Sequence, residues 1–412
     1  MSPEPPLRRP LRLAIYSGVV VGADAISGSV GIKLRIIREL SRAGADVSVT
    51  VFTQGSDTGD PEIVRVGDVS DLISHPEFRD ADAHLFEFGV YYDLFNAIFL
   101  VPPGKPVLSV YHNVTPSELV EESQRPVIER SLMQKHNLFE ADRIACVSEF
   151  NRDDLLAFGL PAERLTVLHL PPAVTAPPRV GRGGDTVEFL AVGRLVAAKG
   201  VLDLARAVVE LRCRGLAGFR VTMAGNDLFS SPDCLSQLEG LIEENSLQQF
   251  LRIVRSPGDR QLGALYAESD ALIVPSYHEG YCLPVIEALA AGCYVIAYEA
   301  ANLPHITAGL GTLVPPGDVS GLADAMSQFM TEMIRARRGG ELPRLPLGRG
   351  AMPGEEWQRA VAQHLRSYSA EAFRDGFVEL LEWAALRASR DTPLLGGGAD
   401  AESRPLVTAT ST

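Results

Sequence analysis

Short apolar runs alternate with helical-period segments along almost the whole chain. In the first half the strand-like runs fall at 11–16, 46–52, 83–88, 107–111, 143–147 and 164–168. Between the first two, residues 32–42 place Leu34, Ile37 and Leu40 at helical spacing. Near Leu170 the pattern breaks: residues 171–184 read PPAVTAPPRVGRGG, with no periodicity, and are predicted to form an interdomain linker. A second alternation follows, with strands predicted at 186–192, 219–224, 251–254, 271–275 and 294–297. The Arg-, Gly- and Pro-rich stretch 335–354 is predicted to be a mobile insertion, and 355–390 one or two amphipathic helices. The Gly-, Ala-, Ser- and Thr-rich tail, 391–412, is predicted to be disordered. Strands that alternate with helices predict an α/β fold with parallel sheets. Two such halves joined by a linker leave a cleft, which is the default ligand site.

Composition narrows the function. A chain of 412 residues suits two domains, and 46% hydrophobic with 22% charged residues is globular rather than disordered. A net charge of −14 is the wrong sign for a nucleic-acid binder, although an acidic body still allows a local basic pocket for one phosphorylated ligand. The 5 cysteines are widely spaced and include no C-x-x-C pair, against a disulfide framework or a zinc site. No apolar run reaches the roughly 18 residues that span a bilayer, and no apolar signal segment follows the first ten residues, so a cytoplasmic location is expected.

The most informative stretch is 275–297, PSYHEGYCLPVIEALAAGCYVIA. A buried strand ends at Pro275, a short loop carries Glu279 and Gly280, and Pro284 suits the first position of a helix. Free backbone N–H groups at Tyr281, Cys282 and Leu283 would then lie at the helix's positive end, where a phosphate is stabilised. Gly280 would let the backbone come close to a ligand. Glu287 falls near the end of the first turn, where a carboxylate could accept two hydrogen bonds from a ribose diol. One glutamate alone would more simply be a surface charge; the whole string is harder to dismiss.

At this point the sequence resembles the retaining glycosyltransferases of the GT-B fold, in the family 4 group, whose signature is two glutamates separated by seven residues. Glu279 and Glu287 have that spacing, within EGY-x-LP and EALAAG. The segment VGRLVAAKG supplies Arg194 and Lys199, matching the family's G-R-x(n)-K pair. MAGND after a strand, QLGALYAESDALIVPS, and TLVPPGD at 312–318 also fit, as do YHNVTP (111–116) and DRIACVSEFNRDDL (142–155) on the acceptor side. The likeness runs from about Leu11 to about Met326. It implies two Rossmann-like domains facing each other across a cleft. Residues 1–175 would form the acceptor-side domain and 176–354 the donor domain, with helices 355–390 packing back toward the first.

The same resemblance implies roles for individual residues. Arg194 and Lys199 would clamp the donor's diphosphate, and Glu287 would hold the ribose, so that Glu287→Ala is expected to weaken nucleotide binding and leave the fold intact. Glu279 would orient the sugar, and the backbone of Gly280, Tyr281, Cys282 and Leu283 would contact sugar and phosphate. His112, directly after the strand 107–111, matches the family's first-domain histidine near the reaction centre. Gly28, in the glycine-bearing loop expected at 18–31, would approach the diphosphate. This chain departs from the family pattern at Cys282 (often Gly), at LPH 303–305 (commoner LPE) and at Arg255 near the base pocket.

The reaction implied is transfer with retention, with a nucleoside-diphosphate sugar as donor substrate and neither a cofactor nor a metal. A soluble small-molecule or saccharide acceptor is expected. Asp80-Ala81-Asp82 has the D-x-D form of metal-dependent glycosyltransferases, but reads as a solvated turn. Lys33, Arg35, Arg38 and Arg42 likewise read as a solvated helix face rather than a membrane anchor. Competing readings are a binding-only sugar-nucleotide sensor, a glycoside hydrolase using paired carboxylates and, more weakly, a nucleotide-sugar epimerase.

Overall fold

A computed structural model describes residues 7, 9–22, 25–177, 185–226, 230–347 and 350–388. The predicted tail 391–412 and the linker residues 178–184 lie outside the described residues.

Two all-parallel sheets carry the fold. The first contains β1 (Leu11–Val20), β2 (Val47–Ser56), β3 (Ile63–Arg65), β4 (Ala83–Phe88), β5 (Val107–Tyr111), β6 (Arg143–Cys146) and β7 (Leu165–Val167), in the order β3-β2-β1-β4-β5-β6-β7. The second contains β8 (Val187–Val192), β9 (Phe219–Gly225), β10 (Leu251–Arg255), β11 (Ala271–Val274), β12 (Tyr294–Tyr298) and β13 (Thr312–Val314), in the order β10-β9-β8-β11-β12-β13. Each order reverses direction once, between β1 and β4 and between β8 and β11, and ligands of open α/β sheets bind at the carboxyl ends of strands at such a switch point. Strands β4, β5, β11 and β12 are buried along their whole length, as sheets covered by helices on both faces require.

One face of the first sheet buries an aromatic stack, with Tyr16 against Phe86 at 4.3 Å and Phe88 against Phe95 at 4.6 Å between ring centroids. The other face belongs to a core that continues through Leu168, Leu170 and Val174 into the second domain. The chain's last helices complete it. Helix Gly354–His364 packs on the second domain, where Trp357 donates its indole N–H to the Leu310 carbonyl at 2.7 Å. After a 3-10 turn at Leu365–Tyr368, helix Ala370–Ala388 returns to the first sheet, buries Phe373 and Phe377 and passes Gly376 closely over Leu168.

Three sequence expectations need correction. The segment 335–354 is regular: helix Val319–Gly339 runs through its first residues, and β14 (Arg344–Leu347) pairs antiparallel with β15 (Gly350–Pro353). Its Arg, Gly and Pro content masked the strand that buries Leu345. The glycine-bearing loop expected at 18–31 is short, because β1 continues to Val20 and a helix, Ala25–Arg42, already contains Gly28 and Gly31. On that helix Lys33 is fully buried, not solvated, and Arg38 is ion-paired to Asp60 and Glu62, both at 2.5 Å. Asp82, of the D-x-D string, binds Arg12 and lies 3.8 Å from the Lys105 ammonium.

Candidate active site

The second-domain wall forms where β8 and β11 end. Gly200 has φ 61°, and a Cβ there would collide with the Pro275 carbonyl, while Tyr277 donates its backbone N–H to the Ala198 carbonyl at 2.9 Å. The loops after the two strands are thereby locked together. Tyr277 and Tyr298 both donate their hydroxyls to Asp203, at 2.6 and 3.1 Å, which buttresses the loop from behind. Lys199 and Glu279 consequently meet as an ion pair at 2.7 Å, and Ser276 donates its hydroxyl to the same Glu279 oxygen at 2.8 Å. Arg194 is exposed, and its guanidinium has no hydrogen-bond or ion-pair partner among the described residues. Arg194, Lys199 and Ser276 line one small cavity at these strand ends.

Helix Leu283–Ala290 begins as the sequence predicts, with Pro284 in its first turn. Cys282, before it, has φ 79°. A left-handed residue at this corner explains why glycine suits the position; here a non-glycine residue accepts the strain. The thiol is buried, and burial pushes it well above the usual cysteine range. The backbone N–H groups of Tyr281, Cys282 and Leu283 donate to no described residue and remain available at the helix start.

Glu287 differs from the sequence expectation. It is 5% exposed rather than an open cleft carboxylate. One oxygen accepts the backbone N–H groups of Ala173 and Val174, at 3.2 and 3.1 Å, and the other accepts the Tyr266 hydroxyl at 2.8 Å. Burial raises its carboxyl above the ordinary range despite these three donors. Glu287 therefore pins the described end of the interdomain segment to the second domain, and its removal is expected to cost stability.

The first-domain wall presents His112, directly after β5. Its Nε2–H donates to Glu87 Oε2 at 2.7 Å, and the other Glu87 oxygen takes the Lys33 ammonium at 2.7 Å. Asn113 has φ 78°, donates its amide N–H to Asn151 at 3.0 Å and accepts His278 Nε2–H from the opposite domain at 2.7 Å. Ser148 also crosses the cleft, donating to the Gly280 carbonyl at 2.7 Å. A Cβ on Gly280 would lie 2.5 Å from the Asn113 Cβ and 2.9 Å from the His112 carbonyl oxygen. The close approach that needs this glycine is thus the first domain's backbone. Gly28 is exposed in the first turn of its helix, with open space where a Cβ would go.

The structure therefore brings Lys199 and Glu279 together beside Arg194, sets His112 and Gly280 face to face, and ties Tyr281 to the interdomain segment through its hydroxyl on the Leu170 carbonyl. Arg255 lies apart from them, paired to Glu239 at 2.5 Å, and His305 is exposed on its own short helix. Lys33, Glu87, Asn113, Ser148 and His278 were not singled out as site residues by the sequence. Two of them carried a signal: Glu87 interrupts the apolar run AHLFEF, and Lys33 sits on the same helix face as Val30 and Leu34.

Comparison with known proteins follows the same division. Residues 34–171 match the family model for Glycosyltransferase Family 4, and residues 176–341 match that for Glycosyl transferases group 1. The chain is 28% identical over 276 residues to the MMP α-(1→4)-mannosyltransferase of Mycolicibacterium hassiacum, covering 64% of each chain. It is 24% identical over 252 residues to the O-antigen chain mannosyltransferase B of Escherichia coli, covering 58% of this chain and 63% of that one. The matched stretches thus span somewhat less than two thirds of these relatives' lengths. Among solved structures, sucrose-phosphate synthase of Thermosynechococcus elongatus superposes with a TM-score of 0.68 at 20% identity, over 92% of this chain and 100% of that one. This likeness is one of fold: two parallel-sheet α/β domains.

Proposed function

We propose, since the chain belongs to the GT-B glycosyltransferases, that it moves a hexose from a nucleoside-diphosphate sugar to a hydroxyl of a saccharide or other soluble acceptor, with retention and without a metal. The observation that carries this reading is the cavity at the ends of β8 and β11, where Arg194, whose guanidinium has no hydrogen-bond or ion-pair partner among the described residues, stands with Lys199. Two cations and the free amides of Tyr281, Cys282 and Leu283 suit a diphosphate and supply the charge neutralisation that a divalent ion would otherwise provide.

In the reaction, the bond from the anomeric carbon to the diphosphate oxygen breaks and its electron pair stays on the diphosphate. Arg194 and Lys199 stabilise that growing charge. The acceptor oxygen attacks from the face the leaving group departs, and its proton passes to the diphosphate. Glu279, held by Lys199 and Ser276, orients the sugar, and His112 approaches it from the opposite wall. Glu287 would hold the ribose only by sharing its oxygens with, or releasing, Ala173 and Val174. The relatives named as mannosyltransferases support a hexosyl donor. A cytoplasmic site of action fits a sugar nucleotide; no helix among the described residues is long and apolar enough to cross a membrane.

The state of the two glutamates argues against a hydrolase. Glu279 is ion-paired and Glu287 is buried among three donors, so neither stands free as the facing acid or base. The test is a thermal-shift screen with UDP, GDP, ADP and dTDP on wild type and Arg194→Ala, a variant that removes no side-chain hydrogen bond or ion pair among the described residues. A ligand at about 100 times its Kd stabilises by roughly 2.7 kcal/mol, a shift of a few degrees. One diphosphate should stabilise wild type and do so about 10- to 100-fold less tightly in the variant, the worth of a lost charged hydrogen bond. No shift with any of the four overturns the donor site. Release of that diphosphate from its sugar nucleotide, with product formed on an acceptor, separates an enzyme from a binding-only protein.

A further inference from the structure

Behind His112 lies a buried polar chain that the proposed reaction does not use directly. Lys33 and Glu87 are fully enclosed, with side chains 0% exposed, and pair at 2.7 Å. The Lys33 ammonium also donates to Ser29, one helical turn back, and lies 5.7 and 6.0 Å from the ring centres of Phe373 and Phe377 on the last helix. Burial alone would raise the Glu87 carboxyl; Lys33 and the His112 hydrogen bond overcome that and hold it below the ordinary range. A buried ion pair rarely repays its desolvation, and an apolar pair of similar volume commonly holds two elements together as well. Stability is therefore a poor reason for these charges.

Their geometry supplies a better one. An ammonium can only donate, so it claims one Glu87 oxygen permanently. The second oxygen, still a carboxylate oxygen, accepts from His112 Nε2–H at 2.7 Å. That leaves His112 Nδ1, which has no partner among the described residues and is not one of the enclosed polar atoms. We propose that Lys33 and Glu87 are positioning residues that fix the tautomer and ring plane of His112, so that Nε2 carries the proton and Nδ1 is offered as an acceptor to the bound sugar. This rests on His112 serving a glycosyl transfer, as proposed above.

The inference separates cleanly in a small set of variants. In Glu87→Gln the new amide oxygen must still face Lys33, which has nothing to accept with. The amide NH2 then faces His112 Nε2, and the proton moves to Nδ1. In Lys33→Met/Glu87→Gln the amide is free to turn its oxygen toward His112 and restore the original tautomer. The full chain is labelled with 15N-histidine, and the His112 signal is assigned by its loss in His112→Asn. Turnover is followed as diphosphate release from UDP-glucose, GDP-mannose, ADP-glucose and dTDP-glucose.

Glu87→Gln should show the Nδ1-protonated ring and lose about 100-fold or more in kcat, as for a misdirected acid–base partner. Affinity for the matching free diphosphate should stay within about twofold, because Arg194 and Lys199 lie on the other domain. The double variant should regain at least about tenfold of the lost kcat together with the Nε2–H signal. If Glu87→Gln does not fold, Lys33→Met/Glu87→Leu removes both charges, and should lose the same kcat at unchanged diphosphate affinity. Wild-type kcat in Glu87→Gln or in that apolar double, an unchanged tautomer in Glu87→Gln, or no recovery in the rescue double overturns the positioning role. A wild-type chain that binds none of the diphosphates instead overturns the glycosyltransferase reading, and the role at the sugar falls with it.

Discussion

Glu287→Ala is the substitution on which the ribose-binding expectation and the structure diverge most. Truncation leaves the N–H groups of Ala173 and Val174 and the hydroxyl of Tyr266 without their acceptor, and the Tyr266 side chain is fully buried. Each stranded donor costs about 1–3 kcal/mol. Water entering the vacated space and the relief of a carboxylate that burial already disfavours recover part of this. A net loss of about 3–5 kcal/mol results, the usual cost of removing one member of a buried charged network. That is a large fraction of a domain's stability of about 5–15 kcal/mol. Glu287→Gln keeps an oxygen for the two backbone donors and offers its NH2 to the Tyr266 oxygen, so it should cost about 1 kcal/mol or less. Urea unfolding followed by Trp fluorescence reads this, since Trp357 is buried in the second domain. An Ala variant less than about 1 kcal/mol below wild type, or a Gln variant as unstable as the Ala one, would refute the reasoning.

Other outcomes follow from the same geometry. Lys199→Ala removes the cation paired with Glu279, which keeps its Ser276 bond, and should lower kcat by about 100-fold or more while Tm changes little, as expected of a cation facing developing charge; an unchanged kcat rules out the clamp. Gly280→Ala drives a Cβ into Asn113 and the His112 carbonyl, so the walls must separate. Its kcat should fall at least tenfold while diphosphate affinity persists, because misplacement by about 1 Å is enough for such losses; full activity would show that the walls are not in register during transfer. Glu149 is held down to about 2, chiefly by its hydrogen bond from His169. A lowered carboxyl contributes stability that is present above its ordinary value near 4.5 and lost as pH falls toward 2. The pair is partly solvent-screened, so Glu149→Gln should flatten that window by less than about 1 kcal/mol in acid titrations of Tm, and an identical acid limb would discount the pair.

Strand positions were readable because buried parallel strands leave short apolar runs, told from helices by their length and flanking turn residues; β4 and β5 have the bounds read from the sequence. Among the strands that escaped, β3 and β13 are three-residue strands at sheet edges, and β14 and β15 lie in a stretch whose Arg, Gly and Pro content reads as a loop. The helix start at Pro284 was equally legible, since a proline suits a first turn; the pairing of Lys199 with Glu279, 80 positions apart, was not. Nor was what other residues do over long separations. Glu287 reaches residues 114 and 113 positions away, and Lys33 one 54 away. Nothing in a window around either residue indicates that its partner arrives from another element, and a lysine between apolar neighbours on a helix reads as a solvated edge until its surroundings are known.

The return of helix Ala370–Ala388 to the first sheet has a consequence for how the protein is made. During synthesis β1 through β7 emerge long before Phe373 and Phe377. Until those rings arrive, one face of the nascent first domain is open and the Lys33–Glu87 pair remains hydrated. The second domain, whose strands and the helix carrying Trp357 all precede Phe373, can finish earlier. Order of synthesis and order of completion are therefore reversed: the domain that leaves the ribosome first is the last to close, and it closes only when the final helix is released.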